Sequence, residues 1–323
     1  MSVLVTGAGV IGTLTADLLA QRGDVVVVAD IREPGILPGG CRFARCDVTD
    51  GPALEALISG HGITRIVHTA AMLSTAIRKD PVRGIAVNVM GTAAILDAAR
   101  LLGVGRVVCA SSTTVGYSTF GSFRGETLPE DIPLRLVSER PGSIYAATKI
   151  AGEHLALVYA DLYGVDAVVL RYAAVIGGPL DAPTSVPGRL LAELVSAARS
   201  GNPIRLDDPL LLWGGGEDFV DARDCARANL AALDATAPRQ RVYNVATGRS
   251  VDLPAFLAAV KAAWPTLEAS VSAIPETGFA GFRHRRPAPT DVTAALAELG
   301  FACLHDIADS VRYWSHPRRA PDP

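Results

Sequence analysis

Short apolar runs alternate with longer segments of helical periodicity in the first half of the chain. Apolar runs of four to eight residues predict buried strands, and apolar positions spaced three and four residues apart predict helices. The expected strands are Val3–Thr6, Val25–Ala29, Arg65–Thr69, Arg106–Ala110 and Val165–Leu170, with a weaker one near Arg42–Cys46. The expected helices are Ile11–Arg22, Pro52–Ser59, Val82–Leu102 and Ser143–Tyr163. This alternation predicts an α/β fold with a doubly wound parallel sheet.

The pattern changes after Gly178, where prolines interrupt the chain as far as Gly216. Further elements are expected as strands at Phe219–Val220 and Val242–Val245 and as helices at Gly188–Ser200, Asp221–Leu233, Leu253–Ala263, Asp291–Leu299 and Ile307–Trp314. Longer irregular connections are typical of a part of the chain that holds a ligand. We therefore expect a cofactor-binding domain at 1–178, to which 217–248 returns, a smaller C-terminal substrate-binding lobe at 179–216 and 249–315, and a tail at 316–323.

Composition narrows the class of protein. The 323 residues are 49% hydrophobic and 20% charged, with a net charge of -3, which is ordinary for a chain with a sizeable core and without a nucleic-acid footprint. No apolar run approaches the ~20 residues that span a bilayer, and the N-terminus lacks a basic signal region. Five widely spaced cysteines without paired C-x-x-C ligands indicate reduced thiols. We expect a cytoplasmic protein with no metal site, no membrane and no nucleic-acid partner.

A glycine pattern follows the first strand and opens the first helix, with glycines at positions 7, 9 and 12. In this context G-x-G-x-x-G is typical of a Rossmann-type dinucleotide site: Gly7 permits the tight turn, Gly9 lets backbone approach a pyrophosphate, and Gly12 allows close helix–strand packing. Asp30 ends the second strand, where a carboxylate binds the adenosine ribose and repels a 2′-phosphate. NAD is therefore favoured over NADP, although Arg32 nearby argues the other way. The alternative is a glycine-rich turn without a ligand.

Tyr145 and Lys149 stand four residues apart in a predicted helix, so they share one face. An ammonium beside a phenol lowers its pKa from about 10, so that the phenolate could take a proton from an alcohol. Ser111 and Ser112 follow the strand Arg106–Ala110, and ligands of open α/β sheets bind at such carboxyl ends. The alternatives are a packed aromatic, a solvated lysine and serines that cap a strand.

With these features the chain resembles the extended short-chain dehydrogenase/reductase family, also called the NAD-dependent epimerase/dehydratase family, up to about Trp314. The matching stretches are Thr6–Gly12, Asp30, Asp47–Val48, His68–Ala71, Asn88, Ser111–Val115, Tyr145–Lys149, Leu170–Tyr172, Asp218–Asp224, Tyr243–Gly248 and Glu298–Gly300. So many landmarks in one order are specific for the family and much less specific for the substrate.

The resemblance implies roles for the matching residues. Tyr145 would be the general acid/base, Lys149 would lower its pKa and bind the nicotinamide ribose, and Ser112 would hold the reacting oxygen. The cofactor NAD would be contacted by Gly7, Gly9, Val10, Ile11, Gly12, Asp30, Ile31, Asp47, Val48, Thr69, Ala70, Ala71, Asn88, Ser111, Tyr145, Lys149, Tyr172 and Val175. Asp47 and Val48 would lie at the adenine. The substrate would be contacted by Ser74, Ser112, Thr113 and Ala174. For Asn88 the alternative is local backbone pairing, and for His68 a place in the core is the preferred interpretation.

Two departures from the family pattern bear on the substrate. Nucleotide-sugar members carry Asn and Arg, both of which contact the nucleotide diphosphate, where this chain has Ala174 and Glu217. A methyl group and an anion disfavour that ligand. The cluster Arg283–Arg286 could still meet phosphates, or it could be a solvated basic loop. His68–Ser74 looks like the threonine-dehydrogenase-type branch, whose substrates are small polar alcohols. The glycines at 7 and 9 are also one residue closer than in most extended members.

Two further segments have a predicted role, one as a loop near the site and one as a helix that needs cover. The long connection Gly116–Gly142 carries Arg124, Arg135 and Arg140, and it is predicted to be a lid or specificity loop in which an arginine holds a carboxylate or is simply solvated. The helix Val82–Leu102 is apolar nearly all round and needs cover on several sides. A homodimer through 82–102 and 143–163 would supply that cover, and intramolecular burial is the alternative.

The sequence therefore predicts an NAD-dependent oxidoreductase that transfers hydride at a secondary alcohol or ketone of a small polar or sugar-like substrate. A nucleotide-sugar epimerase with tightly bound NAD is the second hypothesis. A non-catalytic NAD-sensing protein is the third, and the intact Ser112, Tyr145 and Lys149 argue against it.

Overall fold

The computed structural model describes residues 1–135, 143–236 and 238–315. Its strands are β1 Ser2–Thr6, β2 Val25–Asp30, β3 Cys41–Arg45, β4 Arg65–His68, β5 Arg106–Ser112, β6 Ala167–Tyr172, β7 Ala174–Ile176, β8 Ile204–Leu206, β9 Phe219–Asp221, β10 Val242–Val245 and β11 Ala269–Val271. Its α-helices are α1 Val10–Gln21, α2 Gly51–Gly60, α3 Ser74–Lys79, α4 Pro81–Ile85, α5 Gly91–Leu102, α6 Ile144–Tyr163, α7 Val186–Ser200, α8 Ala222–Asp234, α9 Leu253–Ala263, α10 Thr293–Leu299 and α11 Ile307–Trp314.

Seven of the strands form one parallel sheet in the order β10-β6-β5-β4-β1-β2-β3. The chain builds outward from β1 to β3 on one side and from β4 to β10 on the other. The order therefore reverses between β1 and β4, and in open α/β sheets the ligand site lies outside the carboxyl ends of the strands at this point. The expected doubly wound Rossmann-type sheet is confirmed.

Both faces of the sheet are covered, which explains why the strands read as continuous apolar runs. Val3 and Val5 belong to the core on the side of α1 and α8, whereas Leu4 between them belongs to the core on the side of α2 and α5. All three side chains are fully buried. The alternation along β1 therefore serves two cores rather than one core and solvent.

The C-terminal half adds smaller elements beside this sheet. β8 pairs with β11 and β7 with β9, both in parallel. Trp213 is fully buried and packs against the rings of Phe219, Phe256 and Phe279, with centroids 5.3–5.8 Å apart. β7, β8 and β11, each three residues long, were not expected.

The predicted helix Val82–Leu102 is one continuous helical segment that contains a π-helical turn at Ala86–Met90 between α4 and α5. By length and composition alone, Pro81–Leu102 is apolar enough to cross a membrane. The segment instead connects the neighbouring parallel strands β4 and β5, and α5 packs against α2 and α6. Its apolar composition is therefore that of a crossover helix, with Val82 and Met90 left exposed.

Candidate active site

A cavity of about 300 Å³ lies at the carboxyl ends of β1, β4, β5 and β6. One wall comes from the turn after β1, the ends of the neighbouring strands and α6. The opposite wall comes from the C-terminal half. The residues of the first wall include Gly9, Val10, Ile11, Gly12, Thr69, Ala71, Ser111, Ser112, Thr113, Tyr145, Lys149, Tyr172, Ala174 and Val175. Those of the second include Val186, Pro187, Arg189, Leu210, Phe279 and Phe282.

The glycine turn has the shape that a dinucleotide requires. Gly7 has a φ of +90°, and a Cβ there would lie 2.6 Å from the nitrogen of Ala70. A Cβ on Gly12 would lie 1.9 Å from the carbonyl oxygen of Gly7. A Cβ on Gly9 would meet nothing within 4 Å, and Gly9 lines the cavity. Because α1 begins at Val10 without a side-chain cap, its first N–H groups are available to an anion such as a pyrophosphate.

Asp30 holds this turn in place from the end of β2. Its Oδ2 accepts a hydrogen bond from the backbone nitrogen of Ala8 at 2.7 Å, and its Oδ1 accepts one from that of Arg32 at 3.1 Å. The carboxylate lies beside β1 but does not line the cavity, and neither does the exposed Ile31. This position is compatible with the expected contact to the adenosine ribose, which stays a prediction.

Asp47 and Val48, expected at the adenine, follow β3. The Asp47 carboxylate accepts hydrogen bonds from Thr49 at 2.7 Å and from Arg83 at 2.5 Å. Although partial burial opposes it, the pKa of Asp47 is lowered by these donors. Val48 is buried, and its Cγ2 would lie 2.7 Å from a Cβ built on Gly91. Both residues therefore lie outside the 300 Å³ cavity, near the β3 side of the sheet.

Asn88 does not line the cavity, although the family resemblance implies that it lies near the cofactor. Its Oδ1 accepts from the Met72 nitrogen at 2.7 Å, and its Nδ2 donates to the Met72 carbonyl and to Thr148 Oγ1, both at 3.0 Å. The alternative of local backbone pairing describes it better. Buried polar side chains almost always have hydrogen-bond partners, and the partners of Asn88 are these groups. Here the loop after β4 is held against α6.

His68 occupies the core, as interpreted from the sequence. Its Nδ1 lies 2.7 Å from Thr6 Oγ1 and its Nε2 lies 3.2 Å from Thr92 Oγ1. Burial, together with the smaller effect of the Lys149 charge, lowers its pKa to about 3. A histidine that stays neutral and is bonded at both nitrogens is a structural residue. Thr69 has a related role, because its Oγ1 donates to the Thr6 carbonyl at 2.8 Å, while it also lines the cavity.

Ser112, Tyr145 and Lys149 converge on the cavity from two elements. Ser112 ends β5, and α6 presents the other two one turn apart after the Ser143 cap, whose Oγ accepts from the Ala146 nitrogen. The Lys149 ammonium donates to the Ala110 carbonyl at 2.8 Å and lies 5.7 Å from the centroid of the Tyr145 ring.

The pKa values correct one expectation about this trio. Burial raises the pKa of Tyr145 to about 12, and the hydrogen bond with Ser112 only partly offsets it. Burial lowers the pKa of Lys149 to about 8, against the nearby Cys109 and Glu153. The expected lowering of the Tyr145 pKa by Lys149 is therefore not seen in the protein without a ligand. The physical reason is that burial disfavours the charged phenolate, while the Lys149 ammonium is hydrogen-bonded to the Ala110 carbonyl.

A buried ion pair that the sequence analysis missed supports the trio. Glu153 lies one turn beyond Lys149 on α6, and its carboxylate accepts from Arg171 at 2.7 and 2.9 Å. The same carboxylate accepts from Ser111 Oγ at 2.5 Å. The signal was present as a Glu four residues after Lys149, but its partner on β6 is set only by the fold. Ser111 is thereby fixed beside Ser112.

The predicted substrate residues Ser74, Thr113 and Ala174 all line the cavity, and so do Tyr172 and Val175. The Tyr172 hydroxyl donates to Asn229 Oδ1 at 2.6 Å, so Tyr172 offers a ligand its ring rather than its hydroxyl.

Glu217 and Arg286 form a buried ion pair at 2.7 Å, with side chains that are 2% and 1% exposed. Arg286 also donates to Thr290 at 3.0 Å and to Thr113 at 3.2 Å, while the Tyr117 hydroxyl donates to Glu217 at 3.0 Å. Both expectations for the cluster Arg283–Arg286 are therefore wrong for Arg286. Its charge is neither solvated nor available to a phosphate, because Glu217 neutralises it.

The two loop arginines that the structure describes, Arg124 and Arg135, do not reach the cavity. Arg124 donates to the carbonyl of Phe123 at 2.7 Å, and neither Arg124 nor Arg135 lines the cavity. Arg140 lies outside the described residues. The described part of the loop packs Tyr117 and Phe120 into a small apolar cluster of its own. Two other arginines line the cavity, Arg78 and Arg189, and sequence periodicity offered no signal for them.

Comparisons with known proteins show which chains this one is similar to. The profile of the NAD-dependent epimerase/dehydratase family matches residues 3–246. A UDP-glucose 4-epimerase of Mycolicibacterium smegmatis is 32% identical over 261 residues, 77% of this chain and 78% of that protein. The mitochondrial L-threonine 3-dehydrogenase of Bos taurus is 30% identical over 254 residues, 75% of this chain and 63% of that protein. A crystal structure of Thermus thermophilus UDP-glucose 4-epimerase in complex with NAD has a TM-score of 0.79 at 30% identity, and 98% of each chain is covered.

Proposed function

The chain belongs to the NAD-dependent epimerase/dehydratase family, and on this premise we propose that it is a dehydrogenase that transfers hydride between NAD and a secondary alcohol or ketone of a small substrate. The observation that carries the proposal is the convergence of Ser112, Tyr145 and Lys149 with the open glycine turn on one cavity. Residues 1–178 with 217–248 would hold NAD, and 179–216 with 249–315 would hold the substrate.

The cofactor would supply the hydride acceptor or donor, and the side chains would handle the proton. Tyr145 is a phenol at neutral pH, because burial raises its pKa to about 12, so it is suited to donate a proton to a ketone oxygen. Ser112 would hold that oxygen by a hydrogen bond. In the direction of alcohol oxidation, the same phenol must first lose its proton, which the positive charge of Lys149 favours.

Two features favour a dehydrogenase over a nucleotide-sugar epimerase. Glu217 places a carboxylate where nucleotide-sugar members carry an arginine, and it binds Arg286 at 2.7 Å. Ala174 lines the cavity with a methyl group instead of an amide. A nucleotide diphosphate needs charge-assisted donors, and a cation already paired with a buried carboxylate offers little to it.

NADH accumulation tests the proposal. The purified protein is incubated with NAD and a panel of secondary alcohols, and absorbance at the NADH band is followed. A dehydrogenase accumulates NADH, and Tyr145→Phe is expected to reduce kcat by about 10²–10⁴-fold, since a positioned acid/base contributes this much. Thr148→Ser on the same helix is the matched control. If Tyr145→Phe leaves turnover unchanged, the catalytic assignment is wrong.

The epimerase hypothesis is favoured by one observation, the similarity to UDP-glucose 4-epimerases at 30% identity or more. It predicts conversion of UDP-glucose to UDP-galactose without net NADH. Product analysis by chromatography distinguishes the two hypotheses, because only an epimerase changes the sugar while the cofactor returns to its starting state.

We also propose a homodimer and a cytoplasmic location. The helices 81–102 and 144–163 carry a set of exposed apolar side chains: Val82, Ile85, Met90, Leu101, Leu102, Leu157, Val158 and Leu162. Burying them against a second copy removes apolar surface from water. Light scattering of the wild type and of Leu162→Glu tests the dimer, and a monomeric wild type would contradict it. The five free thiols are compatible with a reducing compartment.

A further inference from the structure

The charges on the cavity wall are all positive. Among the described residues that line the cavity, the charged ones are Arg78, Lys149 and Arg189, and this part of the chain contributes no Asp or Glu to the lining. A cavity lined by one sign of charge within low-dielectric walls raises the local concentration of ligands of the opposite sign. The cavity is therefore suited to an anionic ligand.

Two of the three cations already have partners. Lys149 donates to the Ala110 carbonyl at 2.8 Å. Arg189 pairs with Asp208 at 2.9 Å and lies 3.8 Å from Glu193. Arg78 has neither a hydrogen bond nor an ion pair within the described ranges, and it is exposed at the cavity. Its guanidinium is thus the charge that remains for a ligand.

The helix that carries Arg78 is fixed in place. Ile77 on α3 is 1% exposed and lies against Gly84, where a Cβ would approach it to 2.5 Å. Thr75 Oγ1 donates to the carbonyl of Thr184 at 3.1 Å, which ties α3 to the opposite wall. Ser74 and Thr75, on the same helix as Arg78, also line the cavity and bring hydroxyl groups to this wall. A fixed helix with these groups is pre-organised for an oxygen-rich anion.

We propose that Arg78 binds the carboxylate of the substrate, which makes the substrate a hydroxy acid or the corresponding oxo acid. This inference rests on the proposed dehydrogenase function and goes beyond it. The carbon chain would lie along the apolar wall formed by Val186, Leu210, Phe279 and Phe282. A substrate that also carries an ammonium group, such as threonine, is disfavoured because the described lining offers no carboxylate to pair with it.

The reaction leaves the carboxylate unchanged. In oxidation, the carbinol C–H bond breaks and its electron pair goes with the hydrogen to NAD⁺, which becomes NADH. Tyr145, which has first released its own proton to solvent, accepts the hydroxyl proton, and a C=O bond forms. Arg78 would orient the carbon skeleton and neutralise a charge that stays constant, so its effect belongs in KM more than in kcat.

Three probes of similar shape test the proposal: 3-hydroxybutyrate, its neutral amide 3-hydroxybutyramide, and threonine, which adds an ammonium group. The variants are Arg78→Gln and Arg78→Lys, and Lys79→Gln is the matched control, since Lys79 is exposed on the same helix but does not line the cavity. We expect a kcat/KM for 3-hydroxybutyrate at least about 10-fold above those for the other two probes. Arg78→Gln should lower it by about 10- to 100-fold, mostly through KM, because a hydrogen bond to a charged group is lost.

Other results would overturn the inference. Equal use of acid and amide, a preference for threonine, or an equal loss for acid and amide in Arg78→Gln would each contradict it while NADH formation still supported the dehydrogenase. If no probe yields NADH, the proposed function fails for these alcohols, and calorimetric binding of 3-hydroxybutyrate to the NADH-loaded protein decides the site. Binding that Arg78→Gln abolishes and Lys79→Gln retains supports the anion site, and no binding to the wild type overturns it.

Discussion

The ion pair of Glu217 and Arg286 gives the sharpest prediction about stability. Its two side chains are 2% and 1% exposed, and the charged atoms lie 2.7 Å apart. Glu217 Oε1 also accepts from the nitrogen of Asp218 at 2.9 Å, and Arg286 also donates to Thr113 and Thr290. Arg286→Met therefore leaves a buried carboxylate without its countercharge, and Glu217→Gln leaves a buried guanidinium with a neutral acceptor.

The expected cost follows from this burial. Removing one partner of a buried pair destabilises a protein by about 3–5 kcal/mol, because the remaining charge is desolvated without compensation. This loss is a large fraction of the total free energy of unfolding, which is about 5–15 kcal/mol for a typical protein. The double variant removes both charges, so its loss should fall below the sum of the single losses by about 2 kcal/mol or more. We expect Glu217→Gln to be the milder single change, because the amide keeps an acceptor for Arg286.

Urea unfolding followed by circular dichroism, with linear extrapolation to water, measures these free energies. Arg239→Met is the matched control, because Arg239 is 84% exposed in its pair with Glu298 and its loss should not shift the midpoint measurably. The reasoning is refuted if Arg286→Met costs no more than the control, or if the two single losses simply add in the double variant. Either result would mean that the pair is solvated in the folded protein.

Two further predictions concern the cofactor turn and the pH dependence. Gly9→Ala should leave the unfolding midpoint unchanged but weaken NAD binding, since its Cβ would meet no protein atom and Gly9 lines the cavity. Gly12→Ala should destabilise the fold, since its Cβ would lie 1.9 Å from the Gly7 carbonyl oxygen. Thermal unfolding and NAD titration separate the two effects, and equal stability losses in the two variants would contradict this account. Ketone reduction needs a protonated phenol and a charged ammonium, so kcat/KM should fall above about pH 8, where Lys149 loses its proton, while Tyr145 stays protonated to about pH 12. Lys149→Arg should remove this decline, and a profile that stays flat to pH 10 in the wild type would contradict the assignment.

Much of the fold could be predicted from the sequence because its signals are local. The buried strands β1, β2, β4, β5 and β6 appear as apolar runs, and α6 begins at Ile144 next to the predicted boundary at Ser143. Glycines at 7, 9 and 12 define the cofactor turn, whose backbone geometry depends on the missing Cβ atoms of Gly7 and Gly12. The three-residue strands β7, β8 and β11 were missed because they form only by pairing with distant partners.

Part of the candidate site could be predicted from the sequence for the same reason. Ser112, Tyr145 and Lys149 were named from a strand end and a helical spacing, and they do line one cavity. The Tyr145 pKa was expected to be lowered, whereas burial raises it, because sequence spacing shows which groups are near each other and not how completely water is excluded from them. Asn88 was assigned to the cofactor, while its amide is used by Met72 and Thr148.

By itself, the sequence determined the doubly wound sheet, the cofactor turn and the candidate proton-transfer residues that line the cavity, because periodicity, glycine geometry and one helical turn act over a few neighbouring positions. Only the tertiary structure decided which charges neutralise each other. Glu217 and Arg286 are 69 positions apart and meet in the core, while Arg78 lines the cavity without an ion-pair partner among the described residues. The physical reason is that pairing and desolvation depend on packing between distant segments, and these two effects set which ligand the cavity can hold.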